Sequence, residues 1–252
     1  MDEDAQSGPA APDHDLEVHV VRVFTTDDGA LGNPLGIVTA DDAPTRADGE
    51  PVWRGHEQRI ASQLGFSETV FLEASARQEP GVATLRIFTP ASELPFAGHP
   101  TVGTAWWLRE RGAPVDELVV PAGRVGVRYD GDVTRVSARA SWAPEFTWVA
   151  LGSPAEVDAL DPAAFHDGHH YAYAWLDEAS GALRSRMFAP DMGITEDEAT
   201  GAAAIAITAR LGVDLDITQG RGSRITTRHL GHGLVEVGGK TVGALGVSVH
   251  VA

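Results

Sequence analysis

The sequence predicts an α+β protein of two pseudo-symmetric domains, and three observations predict it. Most of the chain alternates apolar and polar residues in short runs broken by Gly and Pro, a strand pattern, with only a few stretches at helical spacing. The segment "RIFTPASELPFAGHPTVGTAWWLRERG" from Arg86 and the segment "RMFAPDMGITEDEATGAAAIAITARLG" from Arg186 share Arg-x-Phe-x-Pro, a loop, a Gly near a helix start and a Gly-terminated helix, the mark of a duplicated unit. At 252 residues the chain is long enough to give two such units a core each.

Met1 to about Asp15 reads as a disordered acidic tail. Leu16 opens a first strand, "LEVHVVRVF", and the Gly-rich loop "DDGALGN" leads to a second, "PLGIVTA", carrying on the way Asn33, the only Asn of the chain. A helix over "VWRGHEQRIASQLG" closes on Gly65, and "SETVFLEAS" and "VATLRIFTP" are strands, the first starting at Ser67 and Glu68. The "TVGTAWWLRERG" helix sets Val102, Ala105, Trp106 and Arg109 at helical spacing, an apolar face for a core. Three short strands follow in "ELVVPAGRVGVRYDGDVTRVSAR", the last two joined at Asp130-Gly131. Punctuation at Val120–Gly123 marks the candidate boundary between a domain over residues 16–120 and one over 121–252, whose last strand is free to return to the first. Near the end, "VGGKTVG" puts Lys240 in what reads as a hairpin turn.

Composition removes several function classes. With 19 Lys and Arg against 36 Asp and Glu, a net charge of −17, the chain lacks the basic face that nucleic acid or an anionic membrane requires. An anionic substrate must then be held by local devices, helix N-termini and a few arginines. The absence of Cys excludes thiolate metal sites and cysteine nucleophiles or bases. Lys240 is the only Lys, and a turn lysine is poorly suited to a pyridoxal phosphate Schiff base. "HDGHH" at His166–His170 and His229 and His232 in "HLGH" read as loop histidines without a metal-site frame, and no P-loop or dinucleotide fingerprint is present, so no metal or cofactor is expected. No apolar run reaches membrane-span length and the N-terminus is acidic, which reads as a cytoplasmic protein.

The start of the first repeated helix concentrates chemistry. Pro100 suits a first helical position and Gly98 the turn before it. The same residues suit a ligand: free N–H groups hold an anion, Gly98 lets it approach the backbone, and His99 moves a proton. Two such units packed face to face would aim two helix N-termini at one cleft, a cradle for a carboxylate or enolate.

Five stretches, "VFTTDDGALGNPLGIV", "FSETVFL", "RIFTPASELPFAGHPTVGTA", "RMFAPDMGITEDEATGAA" and "ITQG", resemble in order the motifs of the PhzF-like isomerase family of phenazine biosynthesis. The resemblance implies the diaminopimelate epimerase fold, in which each domain wraps a sheet around a central helix and the substrate lies between the two. It also implies an isomerase acting on a small carboxylic acid without cofactor or metal. Glu68 in "SET" sits where that family keeps its acid/base, His99 in "AGHPT" and Asp197 in "TEDEATG" match its assisting polar residues, and Asn33, Gly98, Thr200, Gly201 and Ala202 would border the substrate. Gly98 and Gly201 fall where cysteine-using epimerases of this fold carry their bases, so the lack of Cys agrees with the PhzF branch. The second motif commonly reads Glu-Asp-Pro-Ala-Thr-Gly-Ser. Here Glu198 replaces the Pro, adding a charge at the rim, and Ala202 replaces the Ser, removing a hydroxyl that could hold a carboxylate. Thr195 and Glu198 also make a Thr-x-x-Glu capping box. An epimerase or dehydratase of a hydroxylated amino acid, a catalytically lapsed binding protein, and a homodimer all stay open.

Overall fold

The computed structural model describes residues 14–74 and 80–251. The alternating runs of the first half form β1 (His14–Thr25), β2 (Asn33–Thr39), β3 (Glu68–Ala74), β4 (Val82–Phe88), the short β5 (Glu93–Leu94), β6 (Glu117–Val120), β7 (Gly123–Asp130) and β8 (Val133–Arg139). The second half adds β9 (Thr147–Ala150), β10 (His170–Asp177), β11 (Ala182–Ala189), β12 (Ile194–Asp197), β13 (Leu215–Gln219), β14 (Ser223–Gly231), β15 (Leu234–Gly243) and β16 (Val247–Val251). The helices are α1 (Glu57–Leu64), α2 (Gly98–Glu110), the short α3 (Pro154–Asp158) and α4 (Gly201–Leu211).

Strands β1, β2, β3, β4, β6, β7, β8 and β15 pair in that order, and β15 pairs again with β1, which closes the set into a ring. Inside it α2 lies against β1, β2, β3, β8 and β15. From its other edge β15 continues into β14, β13, β11, β10 and β9, and α4 packs on β14 and β15. This mixed sheet packed on α2 and α4 is an α+β architecture, and β15 contacts both helices. One continuous apolar core runs from Val21 and Leu35 through Val102 and Ala105 to Ile205 and Ile225, and a smaller one sits under α1.

Several expectations change. Val120–Gly123 is a tight hairpin inside the ladder, with Val120 facing Gly123, so the sheet runs unbroken through the expected boundary. The first strand begins at His14, because His14 and Asp15 pair with Val251 and His250 on β16; the rest of the acidic tail lies outside the described residues. Lys240 stands within β15 opposite Thr25 and Val133, its Nζ 2.7 Å from Asp132 and 3.2 Å from Asp27. The glycines before it make room for neighbours and turn nothing, since a Cβ at Gly239 would sit 2.6 Å from Phe24 Cδ1. In α2, every residue from Gly98 to Ala105 is buried, whereas Trp106, Arg109 and above all Glu110 are its more exposed positions. A helix surrounded by strands has no single apolar stripe, so the spacing of Val102, Ala105, Trp106 and Arg109 misidentified the face.

Candidate active site

The two repeated helices begin against each other. An ideal Cβ at Gly98 would stand 2.6 Å from the carbonyl carbon of Gly201 and 2.7 Å from its Cα, and one at Gly201 would stand 2.8 Å from the Cα of Gly98. Gly98 and Gly201 therefore let backbone meet backbone; the expectation that they open space for a ligand is corrected. Their neighbours Ala97, Thr200 and Ala202 line the adjacent cavity instead. Neither helix start has a side-chain cap. Ala97 has no polar atom to offer, and the Thr200 hydroxyl is directed to Asp197 Oδ2 at 2.5 Å. Two uncapped N-termini, each equivalent to roughly half a positive charge, thus converge beside the cavity and favour an anion there. The Thr195–Glu198 capping box does not form: Thr195 is in β12 and α4 starts after Thr200.

Two carboxyl groups face the cavity. Glu68, at the start of β3, is 9 % exposed, and Asp197, at the end of β12, is 4 % exposed. Their surroundings differ. Asp197 Oδ1 accepts from Asn33 Nδ2 at 2.7 Å and Ser67 Oγ at 3.2 Å, and Oδ2 accepts from Thr200. Glu68 Oε2 is buried without a hydrogen bond from the described residues. Burial lifts Asp197 to about 6 against the pull of its three donors, while the nearby Glu198 charge adds a smaller upward push. Burial, and then the Asp197 charge, push Glu68 well above the usual carboxyl range. Glu68 is the more basic of the two, because hydrogen bonds from the described residues stabilise the Asp197 charge and none reaches Glu68 Oε2.

His99 lies behind Glu68, its Nδ1 3.4 Å from Glu68 Oε2. That distance resembles an ion pair, but burial pushes the ring down to about 3 despite the opposing Pro34 backbone, so the imidazole is neutral at physiological pH. The contact lacks hydrogen-bond alignment as it stands. Asn33 also lies behind the carboxyls. Its two N–H donors go to Asp197 Oδ1 and to the Ala199 carbonyl at 3.0 Å, so it ties β2 to the α4 start. Glu198 turns away from the cavity to Arg221 and to Ser223 Oγ at 3.0 Å, and Ser223 accepts from Gly32 N. The charge expected at the rim instead pins the loop that carries Asn33.

The cavity measures about 150 Å³. An apolar cavity of that volume accommodates a molecule the size of benzene. Its polar lining is Glu68, Asp197 and Thr200, and its apolar walls include Phe96, Trp142, Phe146, Met187 and Ile194. No arginine, lysine or histidine is among the lining residues, so the arginines expected to hold an anion are not part of it. Trp142 and Phe146 were not foreseen. Their signal is the aromatic cluster of "SWAPEF" just after a strand, which sequence spacing alone cannot aim at a site 70 residues away. Gln219, in the quoted "ITQG", was likewise given no role. No group of three or more His, Asp or Glu among the described residues could hold a metal ion.

Comparison with known proteins gives concordant results. A family model described as "Phenazine biosynthesis-like protein" matches residues 21–174 and 140–230. The chain is 33 % identical over 213 residues to a trans-2,3-dihydro-3-hydroxyanthranilate isomerase of Pseudomonas fluorescens, a match spanning 69 % of this chain and 72 % of the relative. The fold is similar to that of a phenazine biosynthesis PhzF family protein of Enterococcus faecalis, with TM-score 0.71, 19 % identity and coverage of 94 % and 99 % of the two chains. It is also similar in fold to a hydroxyproline epimerase of Agrobacterium vitis, with TM-score 0.59, 14 % identity and coverage of 94 % and 93 %.

Proposed function

The chain belongs to the phenazine-biosynthesis-like PhzC/PhzF family, an isomerase family, and from that premise we propose that it moves a proton between two carbons of a small, ring-sized carboxylic acid by acid/base catalysis, with no cofactor. The observation that carries the reading is the asymmetric carboxyl pair facing a benzene-sized apolar cavity beside two uncapped helix starts. A carboxyl raised toward neutrality serves both halves of the reaction, since its ionised form is a stronger base than an exposed carboxylate and its protonated form returns the proton. Glu68 takes a proton from a carbon conjugated to the substrate carboxyl and gives it back to another carbon on the same face, so no net proton is gained or lost. The charge that develops on the carboxyl oxygens is met by N–H groups of the α2 and α4 starts, each donor worth about 3 kcal/mol. The apolar walls keep water from quenching the carbanion, and Thr200 and Ala202 border the ring. The Asp197 charge and the buried surroundings make Glu68 the more basic of the two carboxyls, and the reaction starts from its ionised form. In this reading the two helix surroundings are two pseudo-symmetric units joined through β15.

The test is incubation in D2O with trans-2,3-dihydro-3-hydroxyanthranilate, the acid for which the Pseudomonas relatives are named, and with simpler conjugated cyclic acids, followed by proton NMR. Carbon-bound deuterium and an isomeric product are expected. Saturable binding with no exchange on any of them would mark a lapsed binding protein instead.

A further inference from the structure

Gln219 ends β13 fully buried, with its amide against the Asp197–Thr200 segment. Its Nε2 donates to the Asp197 backbone carbonyl at 3.0 Å and to Thr200 Oγ1 at 2.8 Å. The orientation of the amide is not free. A carbonyl only accepts, so the nitrogen must face Asp197 O, and the same nitrogen is the atom beside Thr200. A hydroxyl that accepts from Gln219 spends its own single proton elsewhere, and the acceptor in reach is Asp197 Oδ2 at 2.5 Å. The placement leaves Gln219 Oε1 buried without a partner from the described residues, so the amide is held for what its nitrogen does. The turn after it is fixed by Arg184, which donates to the carbonyls of Thr218 and Gly220, and by Glu198, which accepts from Arg221.

We infer that Gln219 is a positioning residue: by donating to Thr200 it aims the Thr200 proton at Asp197, and through that relay it stabilises the Asp197 carboxylate. The consequence for turnover rests on the isomerase reading; the relay itself does not. The other titratable groups around Asp197 are Glu68 from β3, His99 of α2 behind Glu68, Tyr171 of β10, whose hydroxyl donates to Ser185, and the neighbouring Glu198, which is engaged by Arg221. Burial raises the Tyr171 phenol and lowers His99, so neither changes charge in the range where Asp197 titrates.

The experiment is carbon-13 NMR titration of the Asp197 carboxyl in the free full-length protein, assigned with D197N, for wild type, Q219M, T200V and Q219M/T200V. Q219M keeps the length of the side chain and removes its donors. Q219M and T200V are each expected to raise the Asp197 midpoint by about one pH unit, the scale of one lost hydrogen bond to a carboxylate. The double variant is expected to shift no further than T200V, because both changes cut one relay. An unmoved midpoint in Q219M, or shifts that add in the double variant, would overturn the relay. Should Q219M fail to fold by near-ultraviolet circular dichroism, Q219E decides, since its carboxylate draws the Thr200 proton away from Asp197. Its shift is expected to be smaller in the T200V background by about one unit, and equal shifts in both backgrounds would refute the inference. As the titration uses no substrate, it stands or falls apart from the isomerase reading. In active protein the acid limb of the deuterium-exchange pH profile is expected to move by the same amount.

Discussion

Replacing Gly98 by Ala tests whether the abutting helix starts are a structural joint. The added methyl would lie 2.6 Å from the Gly201 carbonyl carbon, about 0.8 Å short of ordinary contact at 3.4 Å, and 3.0 Å from the Ala202 nitrogen. All these atoms are backbone, so no rotamer change relieves the clash and the two helices must part. Overpacking of this kind costs about 1–3 kcal/mol. In a chain of this size each kcal/mol lowers the thermal midpoint by about 2–4 °C, so a fall of roughly 2–12 °C is expected. Parting the helices also moves Ala97, Thr200 and Ala202 at the cavity wall. A displacement approaching 1 Å at an active site costs on the order of 100-fold in rate. Differential scanning calorimetry and the deuterium-exchange rate, read on the same preparation, check both effects. Gly201→Ala is expected to behave alike, because its Cβ meets Gly98 in return. A Gly98→Ala protein whose midpoint stays within about 1 °C of wild type would refute the reasoning, since an unrelieved clash of this size must appear as lost stability.

Glu68→Gln keeps the shape of the proton carrier and removes its titration, so turnover should drop by about 100-fold or more with ligand binding retained, as read by exchange kinetics and calorimetric titration; near-full turnover would exclude Glu68 as the shuttle. The same variant should flatten the pH dependence of stability. Asp197 and Glu68 are both held above their unfolded values, so the folded state binds protons that the unfolded chain releases, and their stabilising contribution is complete below about pH 4 and lost as pH rises through about 6 for Asp197. For Asp197 the rise from 3.8 to about 6 corresponds to on the order of 3 kcal/mol. Urea melts at pH 5, 6.5 and 8 should show wild type losing ground to Glu68→Gln as pH rises, and parallel curves would contradict the raised carboxyl pair. Because no metal-ligand cluster occurs among the described residues, dialysis against a chelator should leave exchange activity unchanged; loss with recovery on adding a divalent ion would contradict it.

The sequence by itself determined the α+β class, the succession of strands leading to each repeated helix, and the family. Those features are written locally, in apolar alternation, in Gly and Pro at element ends, and in five motifs whose order survives without tertiary information. It also brought Glu68, His99 and Asp197 together as candidates. What it could not read was which atoms face which. Gly98 and Gly201 lie 103 residues apart in the chain, and only the packing of α2 on α4 shows that they face one another and not a ligand. Asn33 and Glu198 were legible as polar residues beside the site, yet their donors and acceptors point into the joint between the halves, a direction set by long-range contact. The face of α2 was misread because a helix surrounded by strands carries no periodic signature. The difference between the two carboxyls, Asp197 holding three hydrogen bonds and Glu68 Oε2 none from the described residues, exists only once β2, β3, β12 and β13 converge, since a carboxyl's proton affinity is fixed by its neighbours in space and not by those in sequence.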